Sequence, residues 1–366
     1  MHHNKLVIFM PSIEGGGVEK NLFIIGNFLA KKIRNTTLIT ADKEFNFRFK
    51  NITIINPKTK IKYYSSRKWK YFFCFIELIK LIINNKNITV FSFQANFYCA
   101  IICKIFFNIK LITRSNSSPS GWSQNFIKKK IFKYLFTKID QVVVNSQEFK
   151  REIKKKFNSE SICIYNPLNK SEIKKLSREK ASIKFYEKKN KLKIINVGRY
   201  VDQKDQITIL KALNLIKNQI KFRALIIGRG ILKNQLVSYI KQNKLSDYVK
   251  LIRFQKNPFK YIRMADVFIL SSKYEGLPNV LLESLVLGKY VMSTNCPTGP
   301  KEILSGGKGG DLYKVQDYKT LARKIINFNN NKKKLLKKIK YAQSQLLRFD
   351  YKTNLHNYLK IVNKYL

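Results

Sequence analysis

Tyr274-Glu275-Gly276-Leu277-Pro278-Asn279-Val280-Leu281-Leu282-Glu283-Ser284 follows an apolar run, Val267-Phe268-Ile269-Leu270, and carries two carboxylates eight residues apart. The pattern predicts a strand, a turn and a short apolar helix. Gly276 lets the backbone bend close to a ligand. Pro278 suits the first turn of a helix, where its missing N–H costs nothing. The amides of Leu277, Pro278's neighbour Asn279 and Val280 would then open the helix, a site for phosphate or sugar oxygens. Glu283 falls one to two turns in, on the face that Asn279 and Val280 begin, within reach of the same ligand. Such a pattern offers amides for phosphate and carboxylates for hydroxyls.

The preceding segments repeat the design. Lys193–Val197 reads as a strand, and Gly198-Arg199-Tyr200-Val201-Asp202-Gln203-Lys204-Asp205 leads from it into a helix at 207–216. Arg199 and Lys204 on one strand-to-helix loop can converge on a diphosphate, the first as a fork and the second as a point charge. Phe222–Gly228 is a further strand with glycine at its exit, and Tyr290–Thr294 another. Nearer the start, the strand Lys5–Met10 runs through Gly15, Gly16 and Gly17 into a helix at 20–30. Those glycines let a diphosphate rest against the backbone at a helix start. The loop is neither a Walker loop nor G-x-G-x-x-G, and read alone it is equally a tight turn. Short strands are predicted at 36–40, 51–56, 88–93, 109–114 and 141–145, with helical stretches between them. Each half therefore reads as an α/β doubly wound parallel sheet.

The Glu-x(7)-Glu motif with its Ser-x-x-Glu-Gly-Leu-Pro approach, Gly198-Arg199-x(4)-Lys204, and the Gly-Gly-x-Glu ending in Glu19 together resemble the family-4 retaining glycosyltransferases. The resemblance covers nearly the whole chain and is strongest over 192–304. It implies the GT-B fold: two Rossmann-like domains facing across a cleft, with the donor nucleotide held mainly by the second. It also implies transfer of a sugar from a nucleotide-diphosphate sugar, UDP-linked, to a glycan or polyprenyl-diphosphate-linked acceptor, with retention at the anomeric carbon. Within it Glu275 falls on donor-sugar hydroxyls and Glu283 on the ribose, while Arg199 and Lys204 offset the leaving diphosphate. Gly228 and Phe254 join Leu277, Pro278, Asn279 and Val280 around the donor. Glu19 matches the family's glutamate, and the strand ends of the first domain make Gln94, Asn96, Arg114, Ser115 and Asn116 acceptor-side candidates. Many relatives carry a histidine there, whereas the histidines here are His2, His3 and His356. The loop at 295–300 leading into 301–304 resembles bacterial members that build surface glycans.

No Asp-x-Asp pair appears, so no metal and no other cofactor is expected. Five scattered cysteines without ligand spacing argue against zinc and disulfides and for a reducing cytoplasm. No apolar run is long enough to span a bilayer. The formal charge of +50 invites a nucleic-acid reading. Lysine far outnumbers arginine, however, alongside abundant asparagine, isoleucine and phenylalanine, which a compositional bias would produce, so nucleic acid is not expected as a partner. A basic nucleic-acid-binding protein and a nucleotide-sugar 2-epimerase of the same architecture are the rival readings.

The expected organisation is a first domain at 1–168, a lysine-rich connection at 169–190 and a second domain at 191–345. A C-terminal helix at 346–366 is expected to return to the first domain. Residues 67–83 and 125–136 mix aromatics with lysines, as suits a headgroup layer, so an anionic membrane surface on the cytoplasmic side is an expected partner.

Overall fold

The computed structural model describes residues 5–14, 16–58, 66–116, 125–181, 183–187 and 190–366. The chain divides into two compact units, one taking the chain up to Pro167 together with Tyr351–Leu366, the other Leu168–Asp350. Residues 169–190, expected as a connection, carry the helices Lys170–Ser177 and Lys184–Glu187 and belong to the second unit.

In the first unit seven parallel strands are β1 (Lys5–Phe9), β2 (Thr36–Ile39), β3 (Thr53–Ile55), β4 (Ile88–Ser92), β5 (Lys110–Ser115), β6 (Gln141–Val144) and β7 (Ile162–Cys163). Their order is β3-β2-β1-β4-β5-β6-β7, so the direction of winding reverses between β1 and β4. Val7 lies beside Thr37 on one side and Val90 on the other. The apolar run of β1 serves both faces of the sheet: Leu6, Ile8 and Met10 enter one core and Val7 and Phe9 the other, as the two-residue period of a strand requires. Helix Tyr351–Tyr365 completes the first of these cores, contributing Leu355, Tyr358 and Val362 from one face beside Leu22 and Ile25.

The second unit holds β8 (Leu192–Val197), β9 (Phe222–Gly228), β10 (Val249–Arg253), β11 (Val267–Leu270), β12 (Tyr290–Thr294) and β13 (Asp311–Tyr313), all parallel, in the order β10-β9-β8-β11-β12-β13. Winding reverses here between β8 and β11. Ligands of open α/β sheets bind at the carboxyl ends of strands flanking such a reversal, and the loops that leave β8 and β11 are the two with the basic and acidic motifs.

Three strands were not predicted, β7, β10 and β13, of two, five and three residues. The C-terminal helix expected at 346–366 spans Tyr351–Tyr365, parted from helix Lys332–Ser344 by a tight turn at Gln345–Phe349. No helix among the described residues is long and apolar enough to cross a membrane.

Candidate functional site

The loops after β8 and β11 are stitched together by hydrogen bonds onto their backbone carbonyls. Ser271 Oγ donates to the Lys204 carbonyl at 2.8 Å, the Lys273 amide to the Gln203 carbonyl at 2.8 Å, and Gln203 Nε2 to the Tyr274 carbonyl at 2.9 Å. Held this way, Lys204 Nζ lies 2.5 Å from Glu275 Oε1, and both side chains are largely shielded from water. Lys273 pairs with Asp202 at the rim. Arg199 stands exposed at the other end of its loop, where its carbonyl accepts from Gln206 Nε2 at 2.9 Å. The structure thus brings Lys204 and Glu275 together and leaves Arg199 on the same loop facing solvent.

The turn at Gly276 rests on the loop after β12. The Glu275 amide donates to the Pro297 carbonyl at 2.7 Å, and Thr298 Oγ1 lies 3.2 Å from the Gly276 carbonyl. Gly299 has φ +95°, and a Cβ there would stand 2.2 Å from the Gly276 oxygen and 3.1 Å from Pro278 Cδ. Only a residue without a side chain lets the two backbones approach so closely. The helix then spans Asn279–Val286 with Pro278 just before it, so Pro278 is the cap residue rather than part of the first turn. The Leu281 amide already donates to the Pro278 carbonyl at 3.1 Å, which leaves Asn279 and Val280, half-buried, as the residues that open the helix. Leu277 and Pro278 are buried, and Glu283 sits 7% exposed in the helix interior. Cys296 adjoins this cluster, but burial pushes its thiol up to about 12, with the Glu275 charge adding to the effect, so it stays protonated at neutral pH.

Tyr200 zips the β8 loop to β9. Its amide donates to the Arg229 carbonyl at 2.8 Å, and its hydroxyl lies 2.8 Å from the Ile226 oxygen and 2.9 Å from that of Ile252. Gly228, expected at the donor, has a packing reason of its own: a Cβ would lie 1.9 Å from the Gly198 carbonyl oxygen. Phe254, half-exposed just past β10, carries the Arg229 guanidinium 5.0 Å from its ring centre. No cluster of metal-ligating side chains occurs among the described residues.

In the first unit, Gly15 lies outside the described residues. Gly16 precedes helix Gly17–Lys32, whose first turn holds Glu19. The Glu19 carboxylate is 7% exposed and turns back on the loop, accepting from the Glu14 amide at 3.3 Å, with Oε2 2.9 Å from where a Gly16 Cβ would be. Gln94 Oε1 accepts from the Ser12 amide at 3.0 Å, and Asp42, which the sequence reading passed over, accepts from the Ile13 amide at 2.7 Å. Three side chains therefore suspend the loop after β1. Asn96 accepts from Ser92 Oγ at 2.8 Å and reaches the Arg114 carbonyl at 3.2 Å, and Asn116 donates to the Phe93 carbonyl at 2.9 Å. These residues stand at the expected strand ends and fix the loops there.

Arg114 does not fit the acceptor-side reading. It is fully buried, donating from Nε to Tyr358 Oη at 2.9 Å and from Nη2 to Asn166 Oδ1 at 2.6 Å. Alternation places its side chain inside β5's core face, where it ties helix Tyr351–Tyr365 to the sheet.

Two doubly wound parallel sheets in one chain, with the charged loops at the reversal of the second, define the class: the chain has the GT-B fold. The crystal structure of Anabaena HepE in complex with UDP-glucose superimposes with a TM-score of 0.79 at 17% identity, covering 99% of this chain and 100% of that one. Residues 177–345 match the family described as glycosyl transferases group 1. An uncharacterized glycosyltransferase of Methanocaldococcus jannaschii is 32% identical over 212 residues, 56% of this chain and 52% of that one, so the match spans about half of that relative. The Campylobacter jejuni N-acetylgalactosamine-N,N'-diacetylbacillosaminyl-diphospho-undecaprenol 4-alpha-N-acetylgalactosaminyltransferase is 27% identical over 333 residues, 86% of this chain and 87% of that one.

Proposed function

We propose that the chain transfers a sugar from a UDP-linked donor to a glycan or polyprenyl-diphosphate-linked acceptor, with retention at the anomeric carbon, in the assembly of a bacterial surface glycan. The observation that carries this reading is the Lys204–Glu275 pair pinned at the strand reversal of the group 1 domain. Relatives named for undecaprenol-linked, amylovoran and capsular products support the acceptor class, and a UDP-glucose complex of the same fold supports the donor. Arg199 and Lys204 offset charge growing on the leaving diphosphate, without a metal ion. Glu275 holds sugar hydroxyls and Glu283 the ribose. The acceptor oxygen bonds to the anomeric carbon on the face from which the phosphate oxygen departs, and that oxygen takes the acceptor's proton. The protein works in the cytoplasm, at the inner face of the membrane.

A panel of nucleotide sugars, each with and without EDTA, tests this through release of nucleoside diphosphate. Release from a UDP-sugar, unchanged by chelator, is expected. Release from none of the panel overturns the donor reading, and loss in EDTA restored by magnesium overturns metal independence. An inverted anomeric proton signal in the product overturns retention.

A further inference from the structure

More than half of the large apolar side chains that stand exposed among the described residues fall in three helical segments of the first unit. These are helix Arg67–Asn84, the stretch Asn96–Phe106 whose second half is π-helical, and helix Phe126–Lys138. The three lie side by side on one layer. Phe75 meets Tyr98 at 6.0 Å, and Phe97 stacks on Phe132 at 3.8 Å. All three also bury residues in the same core, among them Cys74, Cys103 and Leu135. Their outward sides therefore form one continuous surface, on which Phe106 is 71% exposed, Phe126 69% and Ile127 67%. Scattered exposed apolar residues need no explanation, but a contiguous patch does.

Charge narrows the occupant. Helix Phe126–Lys138 has no acidic residue, and its Lys128, Lys129, Lys130, Lys133 and Lys138 are all exposed. Lys70 and Lys104, deeper in, are neutralised by Asp42 and Asp140. A second copy would bring like charges together. A nucleic acid would leave Ile105, Ile127 and Ile131 without a partner, since these have no aromatic face on which a base can stack.

We propose that this face docks on an anionic lipid bilayer, with Phe106, Phe126 and Ile127 entering the headgroup layer and the lysines on lipid phosphates. The purpose of docking rests on the lipid-linked acceptor reading, while its measurement does not.

Sedimentation with phosphatidylcholine vesicles, with and without a third of phosphatidylglycerol, tests it. Wild-type protein should pellet with the anionic vesicles and stay in solution with the neutral ones. The charge variant Lys128→Glu, Lys129→Glu, Lys130→Glu should bind at least about a hundredfold more weakly, each basic side chain near such a surface being worth roughly fivefold. The apolar variant Phe106→Ser, Ile127→Ser should lose about tenfold at unchanged charge. Equal pelleting of wild type and apolar variant, or displacement from vesicles by an oligonucleotide whose binding needs Lys128 to Lys130 and not Ile127, overturns the proposal. UDP release in solution without vesicle binding sinks docking alone; vesicle binding without UDP release sinks the transferase reading alone.

Discussion

Replacing Gly299 with alanine probes how the Gly276 turn is held. A Cβ there would stand 2.2 Å from the Gly276 carbonyl oxygen, so one backbone must retreat by about 1 Å to reach ordinary contact. The left-handed φ of +95° adds a backbone penalty of about 1–2 kcal/mol for any residue with a side chain. Together these give a loss of about 3 kcal/mol, or roughly 6–12 °C in melting temperature for a domain of this size. Gly306→Ala is the matched control: its φ is +69°, but nothing lies within 4 Å of the added atom, so only the backbone penalty applies and the shift should be about 4 °C. Calorimetry measures both shifts, and titration with UDP measures the consequence for the site. Displacing the turn by about 1 Å should weaken UDP binding by about tenfold or more in Gly299→Ala, with Gly306→Ala unchanged. Equal melting losses in the two variants would refute the close approach, and unchanged UDP affinity in a destabilised Gly299→Ala would refute the turn's part in donor binding.

Arg199→Ala should cut turnover about a hundredfold or more at nearly unchanged stability, since the side chain is exposed; wild-type turnover in this variant counts against its place on the diphosphate. Lys204→Ala should cost as much turnover and also stability, because it strands the shielded Glu275 carboxylate. A thermal midpoint equal to wild type would show that the pair is not held in solution. Arg114→Ala should destabilise the first unit by about 3 kcal/mol, leaving a cavity and removing the buried hydrogen bonds to Tyr358 and Asn166. Tryptophan emission reports this unit alone, as both tryptophans precede Pro167. A wild-type denaturation midpoint with lost transfer to acceptor would restore the acceptor-side role.

Long apolar runs were legible as strands because a parallel sheet buries both faces, and β9 and β11 begin and end where the apolar runs do. The strands β7 and β13 are too short to show a period. The site was legible as two loops but not as an ion pair, because Lys204 and Glu275 lie 71 residues apart and only the strand order makes their loops neighbours. Arg114 misled for the same reason. A basic residue ending an apolar run reads as a strand exit, while its partners Asn166 and Tyr358 are 52 and 244 residues away. The π-helical stretch at Ile101–Phe106 gave no signal, since its composition fits a strand or an α-helix equally.

Helix Tyr351–Tyr365 belongs to the first unit yet is translated after the whole of the second. At about 5–20 residues per second, synthesis of the intervening chain lasts on the order of ten to forty seconds. During that interval the seven-stranded sheet has emerged without Leu355, Tyr358 and Val362, and the Arg114 guanidinium has no Tyr358 hydroxyl to meet. The earlier-made unit therefore cannot complete its core until the whole of the later one has been made. A nascent first unit waits with an open apolar groove, which makes it the half of the protein most in need of a chaperone.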